Sequence, residues 1–153
     1  KIGTSLNIGL RCRHMRQSFV FTFLDADMSV QHAAAVHPPL NAACREFYTG
    51  CPVLLALHGT GISASDSADA FKVKQNEDLN YAFGTKHGWL LAPSRHGAHN
   101  WEGVGRIHAL EALFALEKLT KSLPEFRANS KIVFFSGHSM GGHGAWILGI
   151  TET

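Results

Sequence analysis

The sequence is short of cysteine, of proline and of net charge. Three cysteines, at 12, 44 and 51, are too few and too unevenly spaced for a disulfide framework. They leave room for one bridge, but Cys44 and Cys51 are too loosely placed to argue a redox pair. Fourteen basic against twelve acidic side chains leave a net charge of +2, too weak to imply a nucleic-acid or anionic-membrane partner. The longest apolar runs, such as Val53 to Leu57, fall far short of the ~20 residues of a membrane span. Arg11 to Arg16 is basic and Phe19 to Leu24 mostly apolar, yet no small-residue cleavage site follows, so no secretory signal is read. No lysine of the Walker type follows a glycine-rich turn, which disfavours phosphate cradling. Repeats and low-complexity tracts are absent. The first residue is Lys rather than Met; the expectation is a chain processed, cut or incomplete at its start, and no compartment is assigned.

What is present is an ordinary globular composition, 45% apolar and 17% charged over 153 residues. That length suits one domain, or a piece of a larger one, able to bury about 70% of its unfolded surface. Residues 1–50 read poorly. Gln17 to Leu24 carries Phe19, Val20, Phe21, Thr22 and Phe23 and is expected as a strand. Ala26 to Val36 is expected as a short helix stopped by Pro38-Pro39.

From Pro52 the pattern sharpens. Pro52–Leu57, Trp89–Ala92 and Lys131–Phe135 are continuous apolar runs, as expected of strands buried on both faces in a parallel sheet. Helices are expected between them, over Asn76–Phe83 and Arg106–Lys121. The second has an apolar stripe of Ile107, Leu110, Leu113, Phe114 and Leu116, a favourably ordered Glu117–Lys121 pair, and Pro124 just past its end. Alternating strands and helices predict an α/β fold. Each glycine-rich turn of note follows the carboxyl end of a strand, where open α/β sheets bind ligands.

The third run leads into Gly137-His138-Ser139-Met140-Gly141-Gly142-His143-Gly144. Gly137-x-Ser139-x-Gly141 has the form of a nucleophile elbow. A strand turns sharply into a helix there and presents the Ser139 hydroxyl outward, while glycines two residues either side remove clashing side chains. Gly142 and Gly144 extend the small-residue surface where helix meets sheet. A plain strand-to-helix turn is the bland alternative, disfavoured by the buried strand before and the helical Ala145–Leu148 after. His58-Gly59-Thr60-Gly61 follows the first apolar run. Acyl transfer needs preorganised donors for an oxyanion; the N–H of Met140 supplies one, and the N–H of Thr60 is first choice for the second, with Gly59 and Gly61 letting the backbone approach.

From Pro52 to Leu148, about two-thirds of the chain, these residues resemble the α/β-hydrolase superfamily. Pro52–Gly61 looks like its third strand and oxyanion loop, Trp89–Gly97 like its fourth strand, and Gly137–Ala145 like its elbow. The Ser-Met-Gly-Gly core at 139–142 is similar to esterases of the esterase D and polyhydroxyalkanoate-depolymerase type, and to the catalytic domain of prolyl-oligopeptidase-like peptidases. The resemblance implies a serine hydrolase acting on a small-molecule ester, a thioester or a peptide bond, with no cofactor and no metal. It also implies a partial hydrolase fold, a mostly parallel sheet with flanking helices whose carboxyl-terminal strands are missing. In such enzymes an acid and then a histidine follow the serine. Only Glu152 and His143 do so here, and neither is placed to serve. The acid and base are therefore expected beyond residue 153, and this chain alone is expected to hydrolyse esters poorly or not at all. The rival expectation is a catalytically silent relative serving as a binding module.

Other groups carry less. His96, His99, His138 and His143 lack the spacing and closing set of a zinc site. Arg95 is expected in an ion pair or in packing, Trp101 as cover for the sheet edge. Arg11, Arg13 and Arg16 read as solvated surface.

Overall fold

The structure, a computed structural model, describes residues 13–75, 80–96 and 100–152. It is a mixed α/β arrangement. Five strands form one sheet in the order β1-β2-β6-β3-β7: β1 Phe19–Leu24, β2 Val30–Val36, β3 Cys51–Leu57, β6 Trp89–Pro93 and β7 Ala128–Gly137. A separate antiparallel ribbon pairs β4 (Lys72–Lys74) with β5 (Tyr81–Phe83). The helices are α1 Ala64–Ala70, α2 Val104–Thr120 and α3 Met140–Thr151. The expected parallel pairing holds for β6–β3–β7, whereas β1–β2 and β2–β6 are antiparallel.

Period-two alternation sorts each inner strand onto two cores. Val53, Leu55, Leu57, Trp89 and Leu91 join Ala109, Ala112, Leu113 and Leu116 of α2 and Leu148 of α3 on one face. Ala56, Leu90 and Ala92 join Ala64 and Ala68 of α1, together with Phe83 of the ribbon, on the other. Strand β6 is buried along its whole length. Strand β7 is the outer strand, and it leaves Ile132 and Phe134 exposed. Its run is apolar on both faces, as expected of an inner strand, but one face is uncovered among the described residues.

Two expected helices are corrected. Val30–Val36 is a strand, paired along its length with β1. Ala33, Ala34, Ala35 and Val36 are fully buried between layers, and the small side chains let helices approach both faces. The hairpin turn is made by Asp25 and Asp27: the Met28 N–H donates to Asp25 O at 2.8 Å and the Ser29 N–H to Asp27 Oδ1 at 2.9 Å. Tertiary burial and this turn chemistry overrode alanine's helix preference. Of Asn76–Phe83, residues 76–79 lie outside the described residues, and Tyr81–Phe83 is a strand.

Helix α2 falls where expected, but its stripe is displaced. Gly105, His108, Ala109, Ala112, Leu113, Leu116 and Thr120 are buried, while Ile107 and Phe114 are exposed. Glu117 accepts from the Ser130 hydroxyl rather than pairing with Lys121. Helix α1 was not anticipated, although Ser63 caps it by accepting from the Asp66 N–H at 3.0 Å. Cys44 and Cys51 form a disulfide that ties the 3₁₀ turn Ala43–Glu46 to the start of β3. No helix among the described residues is long and apolar enough to cross a membrane.

Helix α3 docks only because Gly141 in its first turn and Gly137 just before it carry no side chain. A Cβ on Gly141 would stand 1.8 Å from Leu57 O, and one on Gly137 would stand 2.0 Å from Gly141 O. Gly142 does not share this role: a Cβ there would meet Gly137 O at 3.5 Å, an ordinary contact. Replacing Gly141 by Ala should therefore destabilise the protein by more than about 3 kcal/mol, beyond the usual range of point substitutions. Gly142→Ala should be neutral or stabilising by up to about 1 kcal/mol, since it removes a helical glycine. Urea denaturation of the two variants distinguishes these outcomes.

Candidate functional site

The parallel strands β3 and β7 end together, with Leu57 in register with Gly137. The loops beyond them therefore share one edge of the sheet. After Gly137 the chain reverses into α3 through Ser139, which holds φ 56° and ψ −122°. A non-glycine residue at such a φ costs on the order of 1–3 kcal/mol unless its surroundings enforce it. Here they do. The Gly141 N–H donates to His138 O at 2.9 Å, the Gly142 N–H donates to Ser139 O at 2.9 Å, and the His138 N–H reaches Leu57 O at 3.3 Å. Ser139 is exposed, so its hydroxyl stands outward at the tip of the turn.

The loop after β3 lies directly against it. A Cβ built on Gly59 would fall 3.1 Å from Ser139 Cβ and 3.6 Å from its Oγ. The Thr60 hydroxyl lies 2.8 Å from Met140 Sδ, which ties the two loops side chain to side chain. The N–H groups of Thr60 and Met140 have no protein acceptor among the described residues, nor do those of Gly59 and Gly61. Gly61 holds φ +76°, a value glycine adopts without strain. Together these features set an exposed hydroxyl, the amino end of α3 and unengaged backbone donors on adjoining turns. Chemically, such an arrangement can hold an acyl group and neutralise an oxyanion.

Among the described residues no side chain hydrogen-bonds to Ser139 Oγ. His143 lies 2.6 Å from Glu102, and Glu152 pairs with Arg106. Arg95 has no carboxylate partner among the described residues; its guanidinium approaches Met140 Sδ at 3.4 Å. Arg13 pairs with Asp69 and Arg16 donates to Phe83 O at 3.0 Å, so these two are engaged rather than merely solvated. Arg11 and His99 lie outside the described residues.

Trp101 does not cover a sheet edge. It is fully buried, holds φ 62°, and donates from Nε1 to His58 O at 3.0 Å. Its ring meets the His58 ring edge-on at 5.4 Å between centroids. Its Cβ lies so near α3 that a Cβ on Gly144 would approach it to 2.4 Å. Trp101 thus wedges between the β3 loop and α3. His58 Nδ1 lies 2.9 Å from Gly59 O, and its Nε2 is buried without a protein partner.

Sequence reasoning missed one polar cluster altogether. Asp25, in the turn after β1, lies 2.7 Å from His108 Nδ1 of α2 and 3.1 Å from His96 Nδ1 after β6, both measured to Oδ2. His108 is fully buried and Asp25 nearly so. Burial pushes the Asp25 carboxyl upward, but hydrogen bonds from His108, the Ala26 N–H and His96 outweigh it and hold the group below the usual aspartate range. The three residues are 12 to 83 positions apart, so no local motif announces them.

No protein-family model, no curated protein and no solved structure matches this chain.

Trp101 offers a direct check on how the candidate site is held. Trp101→Phe keeps an aromatic ring but leaves His58 O unpaired, and should cost about 1–3 kcal/mol. Trp101→Ala should cost about 3–5 kcal/mol. Equal stabilities of wild type and both variants in denaturant melts would show that the wedge carries no load.

Proposed function

We propose that this chain carries the nucleophile half of a serine hydrolase of the α/β-hydrolase type, acting on an ester, thioester or peptide bond. The observation that carries the reading is the backbone of Ser139: a strained, outward-facing serine at a strand-to-helix turn, packed against the glycine loop of the neighbouring parallel strand. A β-carbon at positive φ carries strain that glycine would relieve, and strain of this kind clusters at functional sites.

In this reading Ser139 Oγ attacks the carbonyl carbon and its proton passes to a histidine base. The carbonyl oxygen, now negative, is held by the N–H groups of Met140 and Thr60 until the leaving group departs as the protonated amine, alcohol or thiol. Water then attacks the acyl-enzyme and releases the acid. The reading requires a histidine base and an orienting carboxylate, which are not among the side chains hydrogen-bonded to Ser139 in the described residues. The chemistry asks for no cofactor, and the substrate is a small-molecule ester or a peptide. The Ser-Met-Gly-Gly turn supports either an esterase or a prolyl-oligopeptidase-like peptidase.

The test is labelling of the natural, full-length protein by a fluorophosphonate probe, which reacts quickly only with an activated serine. Labelling should map to Ser139 and vanish in Ser139→Ala. In Gly59→Ala the added methyl would stand 3.1 Å from the Ser139 β-carbon, so the turn must give by a few tenths of an ångström, and labelling should slow by roughly several-fold. A folded natural protein that takes no label would favour the silent binding module.

A further inference from the structure

We propose that Asp25, His96 and His108 form a binding site for a divalent transition-metal cation of the zinc class. The inference is independent of the hydrolase reading.

One ligand atom from each residue lies within 4.8 Å of the others. Two imidazole nitrogens and one carboxylate oxygen are a donor set that suits such cations, with positions left open for water or a further ligand. Metal–ligand distances of about 2.1 Å require donor-to-donor edges of roughly 3.0 to 3.4 Å. The two edges at Oδ2 are 2.7 and 3.1 Å. An ion would open these two edges by a few tenths of an ångström and draw the His96–His108 edge, within 4.8 Å, toward the same range.

The surrounding groups also fit. Asp25 Oδ1 accepts from the Ala26 N–H at 2.9 Å, which fixes the carboxylate and leaves Oδ2 as the inward atom. The turn itself is pinned by the Asp25 N–H donating to Ser29 O at 2.9 Å. His108 Nε2 lies 3.4 Å from the Ser94 hydroxyl. A neutral His108 can thus carry its proton on Nε2, toward Ser94, and offer Nδ1 to the ion. Partners of this kind orient metal-ligating side chains. Phe23 flanks the His108 ring at 5.2 Å and holds it in place. An access route exists: a cleft of about 440 Å³, lined by Asp25, Ala26, Asp27, His96, Val104 and Ile107, opens onto the cluster. Two of the ligands are buried and preset by packing, and His96 stands at the mouth.

A bound ion would join the β1–β2 turn, the start of the loop after β6, and helix α2. That loop ends at Trp101, so the site would anchor at one end the segment whose other end wedges the β3 loop against α3.

The experiment uses the natural chain without a histidine tag, stripped with chelator and titrated with cobalt(II), then zinc(II). Expected are one saturable site per chain, visible cobalt absorption bands displaced by zinc, and a melting temperature that rises with zinc concentration. His96→Gln changes the partly exposed ligand, should fold normally by circular dichroism, and should weaken binding by more than 10-fold. Ser94→Ala keeps all three ligands and should weaken it by about 10-fold. The proposal is overturned by an absence of saturable binding to the folded wild type, or by stoichiometric binding that His96→Gln leaves unchanged.

Discussion

The candidate site depends on one steric constraint: the first turn of α3 must lie against the last residue of β3 with no side chain between them. Leu57 O sits where a Gly141 β-carbon would be, and Gly141 O sits where a Gly137 β-carbon would be. This close approach fixes the direction in which the chain leaves β7. Ser139, the residue at the bend, is left with the conformation that closes the turn, positive φ included. Its strain is offset by the burial of Leu148 and the hydrogen bonds of the first helical turn. The outward hydroxyl follows from the same geometry, since the inward side of the bend is filled by backbone.

Around that bend the second layer of control is long-range. Trp101, just before α2, inserts its side chain: its indole N–H donates to the carbonyl of His58 and its β-carbon abuts Gly144. A single buried side chain thereby sets the separation between the β3 loop and α3. The other end of the segment between β6 and α2 starts at Ser94 and His96, beside Asp25 and His108. The loop is thus held by apolar packing at one end and by charged and polar contacts at the other. Such dual tethering suits a segment that must hold two strained residues, Asn100 and Trp101, at positive φ.

What the sequence revealed and what it hid divide along physical lines. Strands β3 and β6 were legible because inner strands of a layered sheet must be apolar on consecutive residues, and β7 carries the same pattern although it is the outer strand. The elbow was legible because its steric demand is local and only glycine meets it. Strand β2 was not, because its alanines answer to helices packed on both faces of the sheet, a demand that becomes visible only once the layers are assembled. The role of Trp101 was hidden for the same reason: its partners, His58 and Gly144, are 43 residues away in each direction. The Asp25–His96–His108 cluster depends on three separate elements converging. Helix α1 is a different case, since its Ser63–Asp66 cap is a local signal that could have been read.

Two features of the molecule are open at β7. It is the outer strand, with Phe134 and Ile132 exposed, and Trp146 and Ile150 of the helix that follows it are exposed as well. Ser139, at the carboxyl end of that strand, lacks a hydrogen-bonded base among the described residues. An apolar strand with an unpaired edge is poorly suited to water and readily accepts another strand. An element added there would cover the apolar surface, and the loop at its carboxyl end would arrive beside the serine rather than behind it. On the proposed reading, the group that removes the Ser139 proton therefore comes from this side. The opposite side is already occupied by the Gly59 loop.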